Sequence, residues 1–336
     1  MAKVKIGMIG AGRIGQLHAK NIIQSDMMEL KGIADVYTDH LQGTELEKRA
    51  GYITNDPEEI LKDKEIEAIF ICTSTDTHVH YIEECARHGK HIFCEKPISF
   101  KIEETKSVLE AVKQAGVKFQ VGFNRRYDKH FRQVKQLVEQ GELGELHVIK
   151  ITSRDPGTPP ETYVKRSGGM FMDMTIHDFD MIRYLAGSEV KDITAKAGNL
   201  VDPMFEKYGD VDTAIITVTF ENGTLGVIDN SRQAVYGYDQ RIEVFGSEGS
   251  ALAENELETN VVVAKRDFVR CAQPKHFFLD RYQDAFVDEI NEFATAILTD
   301  CAFTCTGEDG WKAEQMAKAA KISYEENRTV RIEEIV

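Results

Sequence analysis

Lys3-Val4-Lys5-Ile6-Gly7-Met8-Ile9-Gly10-Ala11-Gly12-Arg13-Ile14-Gly15 is an apolar run that breaks into G-x-G-x-x-G, and Gln16-Leu17-His18-Ala19-Lys20-Asn21-Ile22 follows it with helical periodicity. The six-residue pattern alone is weak. Set between a buried strand and an amphipathic helix, it is the phosphate loop of a dinucleotide site. Gly10 permits the tight turn, Gly12 lets the backbone approach a pyrophosphate, and Gly15 lets helix and strand pack closely. The helix N-terminus then presents its N–H groups to the phosphates, with Ala11 and Ile14 in the loop and Arg13 as an added cation.

Working outward, Leu30 to Ala34 reads as the next strand, and Asp35 follows 20 residues past Gly15. A carboxylate there accepts hydrogen bonds from the adenosine ribose hydroxyls and repels a 2′-phosphate. Val36 stands where an Arg would greet that phosphate, so the expected cofactor is NAD. An ordinary turn residue before Tyr37 is the alternative reading of Asp35. Ala68 to Cys72, His91 to Cys94 and Lys118 to Val121 are further strands, separated by helical stretches at Pro57 to Leu61, Val79 to His88 and Ile102 to Gln114. Such alternation builds a parallel, doubly wound sheet with its strand carboxyl ends along one edge. At that edge fall Thr73-Ser74-Thr75-Asp76-Thr77-His78, of which Thr73, Ser74, Thr75 and His78 are candidates to border the cofactor, or equally to cap a helix. Glu95-Lys96-Pro97 falls there too, and the proline ends strand pairing so that Lys96 meets a bound substrate.

The remainder of the chain sets limits. Its 336 residues suffice for two packed domains, and the formal charge of −15 repels nucleic-acid backbones and anionic membranes. No run approaches the length of a membrane span, and Met1 to Lys5 carry no export signal, so a cytoplasmic protein is expected. The six cysteines (72, 85, 94, 271, 301 and 305) are scattered and read as reduced thiols.

Beyond Asn124 the texture changes. A helix at His130 to Gln140 precedes β-rich runs at Leu146 to Ser153, Val190 to Ala197, Asp212 to Phe220, Thr224 to Asn230 and Gln240 to Phe245, with Asn222-Gly223 as a hairpin turn. The expected organisation is a Rossmann domain over 1–123 and an α+β domain over 124–336 with a large, mostly antiparallel open sheet. Long helices at Tyr282 to Thr299 and Glu308 to Glu325 either cover that sheet or pack back on the first domain. Within the second domain, Asp173 and His177 are spaced to share one helix face, where the carboxylate orients and tunes the imidazole as a base for a hydroxyl proton. The same residues, with Asp180, would suit a metal, and a buried structural histidine is a further alternative; with no third soft ligand nearby, no metal is expected.

The strand-GAGRIG-helix unit, the CEKP tetrapeptide around Lys96, Gly122-Phe123-Asn124-Arg125-Arg126-Tyr127-Asp128 and Asp173-Met174-Thr175-Ile176-His177-Asp178 together resemble the Gfo/Idh/MocA oxidoreductase family over essentially the whole chain. The resemblance implies NAD-dependent oxidation of a secondary alcohol on a cyclic polyol, myo-inositol first among them, to a ketone. It implies Lys96, Asp173 and His177 as catalytic residues, with either Lys96 or His177 as the ultimate base. Arg126, Asp155 and Tyr238 line the substrate by the same resemblance, Asp155 standing where inositol enzymes carry Asn. Glu95 joins the cofactor contacts, and a homodimer or homotetramer is implied. Another inositol isomer or sugar as substrate, or a catalytically silent NAD-binding regulator, are the rival readings.

Overall fold

A computed structural model describes residues 3–335. Two compact units are resolved, one of Met1–Tyr127 with Asp284–Lys312, the other of Asp128–Gln283 with Ala313–Val336.

The first unit runs β1 (Val4–Ile9), α1 (Arg13–Gln24), β2 (Met28–Ala34), α2 (Glu45–Arg49), β3 (Tyr52–Thr54), α3 (Pro57–Lys62), β4 (Ala68–Ile71), α4 (His78–Arg87), β5 (His91–Glu95), α5 (Ile102–Ala115) and β6 (Phe119–Gly122). Six strands pair in the order β3-β2-β1-β4-β5-β6, every pair parallel. This is the strand order of the doubly wound dinucleotide fold, whose chain reverses direction of travel between β1 and β4. A parallel sheet is covered on both faces, so its strands are apolar along their whole length. Ala68, Ile69, Phe70 and Ile71 of β4 are accordingly all buried. The strand β3 and the helix α2 escaped the sequence reading. Three half-buried residues are too short a run to display a period.

The second unit opens with α6 (Lys129–Glu139) and β7 (Leu146–Arg154), followed by the short helices α7 (Glu161–Val164) and α8 (Met170–Asp173), then α9 (Ile176–Ala186). The strands β8 (Val190–Gly198), β9 (Thr213–Phe220), β10 (Leu225–Ser231), β11 (Asp239–Gly246) and β12 (Ser250–Ala253) come next, then a small hairpin of β13 (Val262–Ala264) and β14 (Val269–Cys271), and α10 (Phe278–Arg281). With β15 (Val330–Arg331), seven strands pair in the order β12-β11-β7-β10-β9-β8-β15. All those neighbours are antiparallel except β7 and β10, which run parallel. Gly223 takes φ of +87° in the turn between β9 and β10, a conformation in which only glycine is unstrained. Residues alternate across this sheet: Ala214, Ile216, Val218 and Phe220 of β9 are buried, while Ile215 and Thr217 are exposed. The buried face receives α9, which packs on β7.

The chain then forms α11 (Gln283–Thr299) and α12 (Gly307–Glu326). Ile290, Phe293 and Ala294 of α11 join the apolar core of the first unit with Met8, Phe70 and Phe93.

Candidate active site

In the first unit, the loop after β1 is built by sterics. Gly10 adopts φ of +96°, and a Cβ there would fall 2.6 Å from the Cys72 backbone; one at Gly15 would fall 2.1 Å from the Gly10 carbonyl oxygen. Gly12 differs, since nothing lies within 4 Å of its added Cβ and the residue is exposed. No side chain caps the start of α1. An open glycine ahead of an uncapped helix leaves both space and N–H donors for an anion. Arg13 is exposed at the same end. The Asp35 carboxylate is tied to this loop, accepting the Ala11 N–H at 2.6 Å through Oδ2 and the Tyr37 N–H at 2.9 Å through Oδ1. Val36 beside it is 86% exposed and offers no cation. These groups fit a dinucleotide with an unphosphorylated adenosine ribose.

At the ends of β4 and β5 the candidates interlock. His78, at the start of α4, is buried with Nδ1 at 2.8 Å from the Pro97 carbonyl and Nε2 at 3.2 Å from the Thr73 carbonyl. Burial lowers its pKa against the opposing pull of those two carbonyls, which keeps the ring neutral. It braces the turn after β4 against the segment that carries Lys96, while Thr77 donates to the Thr73 hydroxyl at 2.7 Å. Ser74 and Thr75 sit in the same turn. The Glu95 carboxylate meets His18 Nε2 at 2.8 Å and lies over Gly122 of β6, where a Cβ would sit 3.1 Å from it. Lys96 is half-buried and joined to Pro97 by a cis peptide. Arg126 is buried, its guanidinium donating to the Thr304 carbonyl at 2.6 Å and pairing with Asp309 at 2.9 Å.

The other candidates lie in the second unit, at the carboxyl ends of its parallel strand pair. Arg154 and Ser231 are partners in the β7–β10 register, so the next residues, Asp155 and Arg232, leave the sheet side by side. Asp155 N–H donates to the Ser231 carbonyl at 2.9 Å, and Arg232 N–H to the Asp212 carbonyl at 2.8 Å. The buried Arg232 guanidinium then reaches Asp155 Oδ2 at 3.2 Å and Asp173 Oδ2 at 2.8 Å. Burial opposes its charge, but the carboxylates of Asp173 and Asp155 more than offset this and hold it cationic. The second oxygen of Asp173 accepts the Tyr163 hydroxyl at 2.6 Å. Burial, then the charge of Asp173, push the Tyr163 phenol well above its ordinary range, so it remains a donor. Tyr238 is buried, edge-on to Tyr282 at 6.1 Å.

One expectation needs correcting. Asp173 and His177 are not on a single helix: Asp173 ends α8, and His177 is the second residue of α9. Met174 and Thr175 between them keep right-handed helical dihedrals, so the one-turn spacing survives the break. Thr175 is buried and donates to Asn230 Oδ1 at 2.6 Å, and Asn230 donates to Asp178 Oδ2 at 2.9 Å, which anchors the start of α9 to β10. Arg232 and Tyr163 were missed in the sequence. The only signal of Arg232 is that it follows a strand end whose pairing the sequence does not display, and Tyr163, inside the short α7, has none. Among the described residues no group of three His, Cys, Asp or Glu is placed to hold a metal ion, and no helix is long and apolar enough to cross a membrane. Cys72, Cys85, Cys94 and Cys305 are buried, and Cys271 and Cys301 exposed.

Comparison with known proteins identifies the family. Residues 4–123 match the oxidoreductase family with an NAD-binding Rossmann fold, and residues 131–252 match the GFO/IDH/MocA C-terminal domain. The chain is 52% identical over 331 residues to the "Uncharacterized oxidoreductase YrbE" of Bacillus subtilis (strain 168), covering 98% of this chain and 97% of that one. It is 45% identical over 335 residues to the myo-inositol 2-dehydrogenase of Thermotoga maritima, covering 99% of this chain and 100% of the relative. The crystal structure of scyllo-inositol dehydrogenase from Lactobacillus casei with bound NAD(H) and scyllo-inositol superposes with a TM-score of 0.91 at 31% identity, over 98% of this chain and 99% of that one. The chain belongs to the Gfo/Idh/MocA family of oxidoreductases, with the family's NAD-binding Rossmann fold at its N-terminus.

Proposed function

We propose that this chain is an NAD-dependent cyclitol dehydrogenase that oxidises myo-inositol to its 2-keto product. The observation that carries the reading is the gathering of Asp155 and Asp173 on the buried Arg232 guanidinium, with the Tyr163 hydroxyl donating to Asp173. Fixed carboxylates are acceptors suited to a ligand whose functional groups are all hydroxyls. A cyclitol is favoured over an open-chain sugar because the Thermotoga maritima and Lactobacillus casei relatives are both named for inositols.

When bound, NAD supplies the acceptor for hydride from the alcohol carbon. Gly10, Ala11, Gly12, Arg13 and Ile14 hold its pyrophosphate, Asp35 beside Val36 takes its ribose hydroxyls, and Thr73, Ser74, Thr75, His78 and Glu95 border the same strand ends. Lys96 donates a hydrogen bond to the reacting hydroxyl and stabilises its developing negative charge. His177 accepts the hydroxyl proton, and Asp173 holds the imidazole and one substrate hydroxyl. Arg126, Asp155 and Tyr238 contact the remaining hydroxyls. Cytoplasmic placement and assembly as a homodimer or homotetramer belong to the same reading.

The test is initial-rate NADH formation from myo-inositol, scyllo-inositol and glucose, with NAD and NADP in parallel. Fastest turnover is expected with myo-inositol and NAD. Preference for another polyol would displace the substrate but keep the chemistry, and silence on all three with NAD still bound would overturn the enzyme reading in favour of a regulator.

A further inference from the structure

We propose that Arg232 and Tyr163 are positioning residues for the acid-base pair: together they fix the Asp173 carboxylate and its charge, and through it the orientation and protonation of His177. The inference deepens the reading above and rests on it for the roles of Asp173 and His177. Two independent parts of the fold converge on one carboxylate. Arg232 comes from the end of β10, Tyr163 from α7, and Asp173 from the end of α8, with His177 one turn further along right-handed backbone. Each Asp173 oxygen accepts a donor of different kind, a phenol at 2.6 Å and a guanidinium at 2.8 Å, so rotation about the side chain breaks at least one strong contact.

The charges around Asp173 make the arrangement more than structural. Asp155 shares the guanidinium, and Asp210, ahead of β9, accepts the Met170 N–H at 2.8 Å and feels the charges of Arg232 and Asp173. Two carboxylates therefore share one fixed cation, and the neutral phenol of Tyr163 donates to one of them. The counter-ion position decides where negative charge rests. With Arg232 in place, the charge of Asp173 is partly neutralised and its field at His177 moderated. Neither Arg232 nor Tyr163 is assigned contact with the reacting atoms; both act through Asp173.

The test follows the His177 imidazole by NMR in the full chain labelled at its ten histidines, with NAD present, and with His177→Asn to assign the signal. Tyr163→Phe removes one oxygen and leaves Asp173 less stabilised, which strengthens its pull on the imidazolium; the titration of His177 moves upward by about half a unit. Arg232→Gln also removes a nearby positive charge and moves it further the same way, by about one unit or more. An unmoved or downward titration in Tyr163→Phe overturns the proposal, as a purely structural tyrosine predicts. Arg232→Gln strands two carboxylates, so if it does not fold, Tyr163→Phe decides alone. Polyol turnover of the same wild-type preparation separates the two readings. A wild type silent on polyols whose imidazole still shifts on Tyr163→Phe counts against the function and leaves the positioning role standing; an active wild type with an unmoved imidazole does the reverse.

Discussion

Gly10, Gly12 and Gly15 are the same residue in three physical situations. Gly10 and Gly15 are glycines because the protein itself occupies the space of a Cβ, within 2.6 Å and 2.1 Å respectively, whereas Gly12 has nothing within 4 Å. Its backbone, with φ of −67°, is also one that any residue adopts. Gly12→Ala should therefore leave thermal stability within about 0.5 kcal/mol of wild type while weakening NAD binding about ten-fold or more, read by calorimetric titration. Gly15→Ala should lose stability outright, as its methyl has to displace backbone. Equal NAD affinity in Gly12→Ala would show that the pyrophosphate lies elsewhere. All three glycines, and Asp35, were legible in the sequence because their meaning is local: strand, turn and helix follow one another directly. Arg232 was not, because its partners Asp155 and Asp173 lie far away along the chain.

At the scale of the element, α11 carries an ionisable carboxyl into the interior of the first unit. Glu289 is fully buried, and neither of its carboxylate oxygens has a hydrogen-bond partner among the described residues. Burial, then the nearby charges of Glu95 and Glu292, push its carboxyl well above the ordinary range. The native state keeps this proton above about pH 4.3, where the unfolded chain begins to release it. Stability contributed by the protonated form is then present at low pH and lost as pH rises towards the native pKa. Glu289→Gln, which mimics the protonated acid at all pH values, should raise the melting temperature more at about pH 8 than at about pH 5, by roughly 3 °C for each kcal/mol recovered. An equal effect at both pH values would mean that Glu289 is not held protonated. The helix itself was evident in the sequence between Tyr282 and Thr299. That it enters the core beside β4 and β5 was not, since an amphipathic pattern names an apolar face without naming what covers it.

At the scale of the whole molecule, the outer face of the seven-stranded sheet is the surface that asks for a partner. Cross-strand pairing puts Val148, Leu225 and Phe245 side by side on the face that also carries Leu252 and, farther along, Ile215; Leu225, Phe245, Leu252 and Ile215 are each more than two-fifths exposed. Apolar residues clustered on an uncovered sheet are the mark of an interface. Light scattering should report a multiple of 37.9 kDa for the wild type, and Leu225→Asp should raise the subunit dissociation constant at least about ten-fold. A monomeric wild type, or an unaffected variant, would remove this face from consideration. The sequence by itself determined the Rossmann half, the NAD loop, the Lys96 strand end and the alternation of the second sheet, because period and turn chemistry act between near neighbours. Only the tertiary structure decided the parallel pairing of β7 with β10, and with it the meeting of Asp155 and Asp173 on Arg232 and of Tyr163 on Asp173. It also decided the break between α8 and α9 and the entry of Glu289 into the core. The site depends on which strands lie side by side and the buried helix on which face of the sheet it covers, and both choices are made by burial of whole elements against one another rather than by any segment alone.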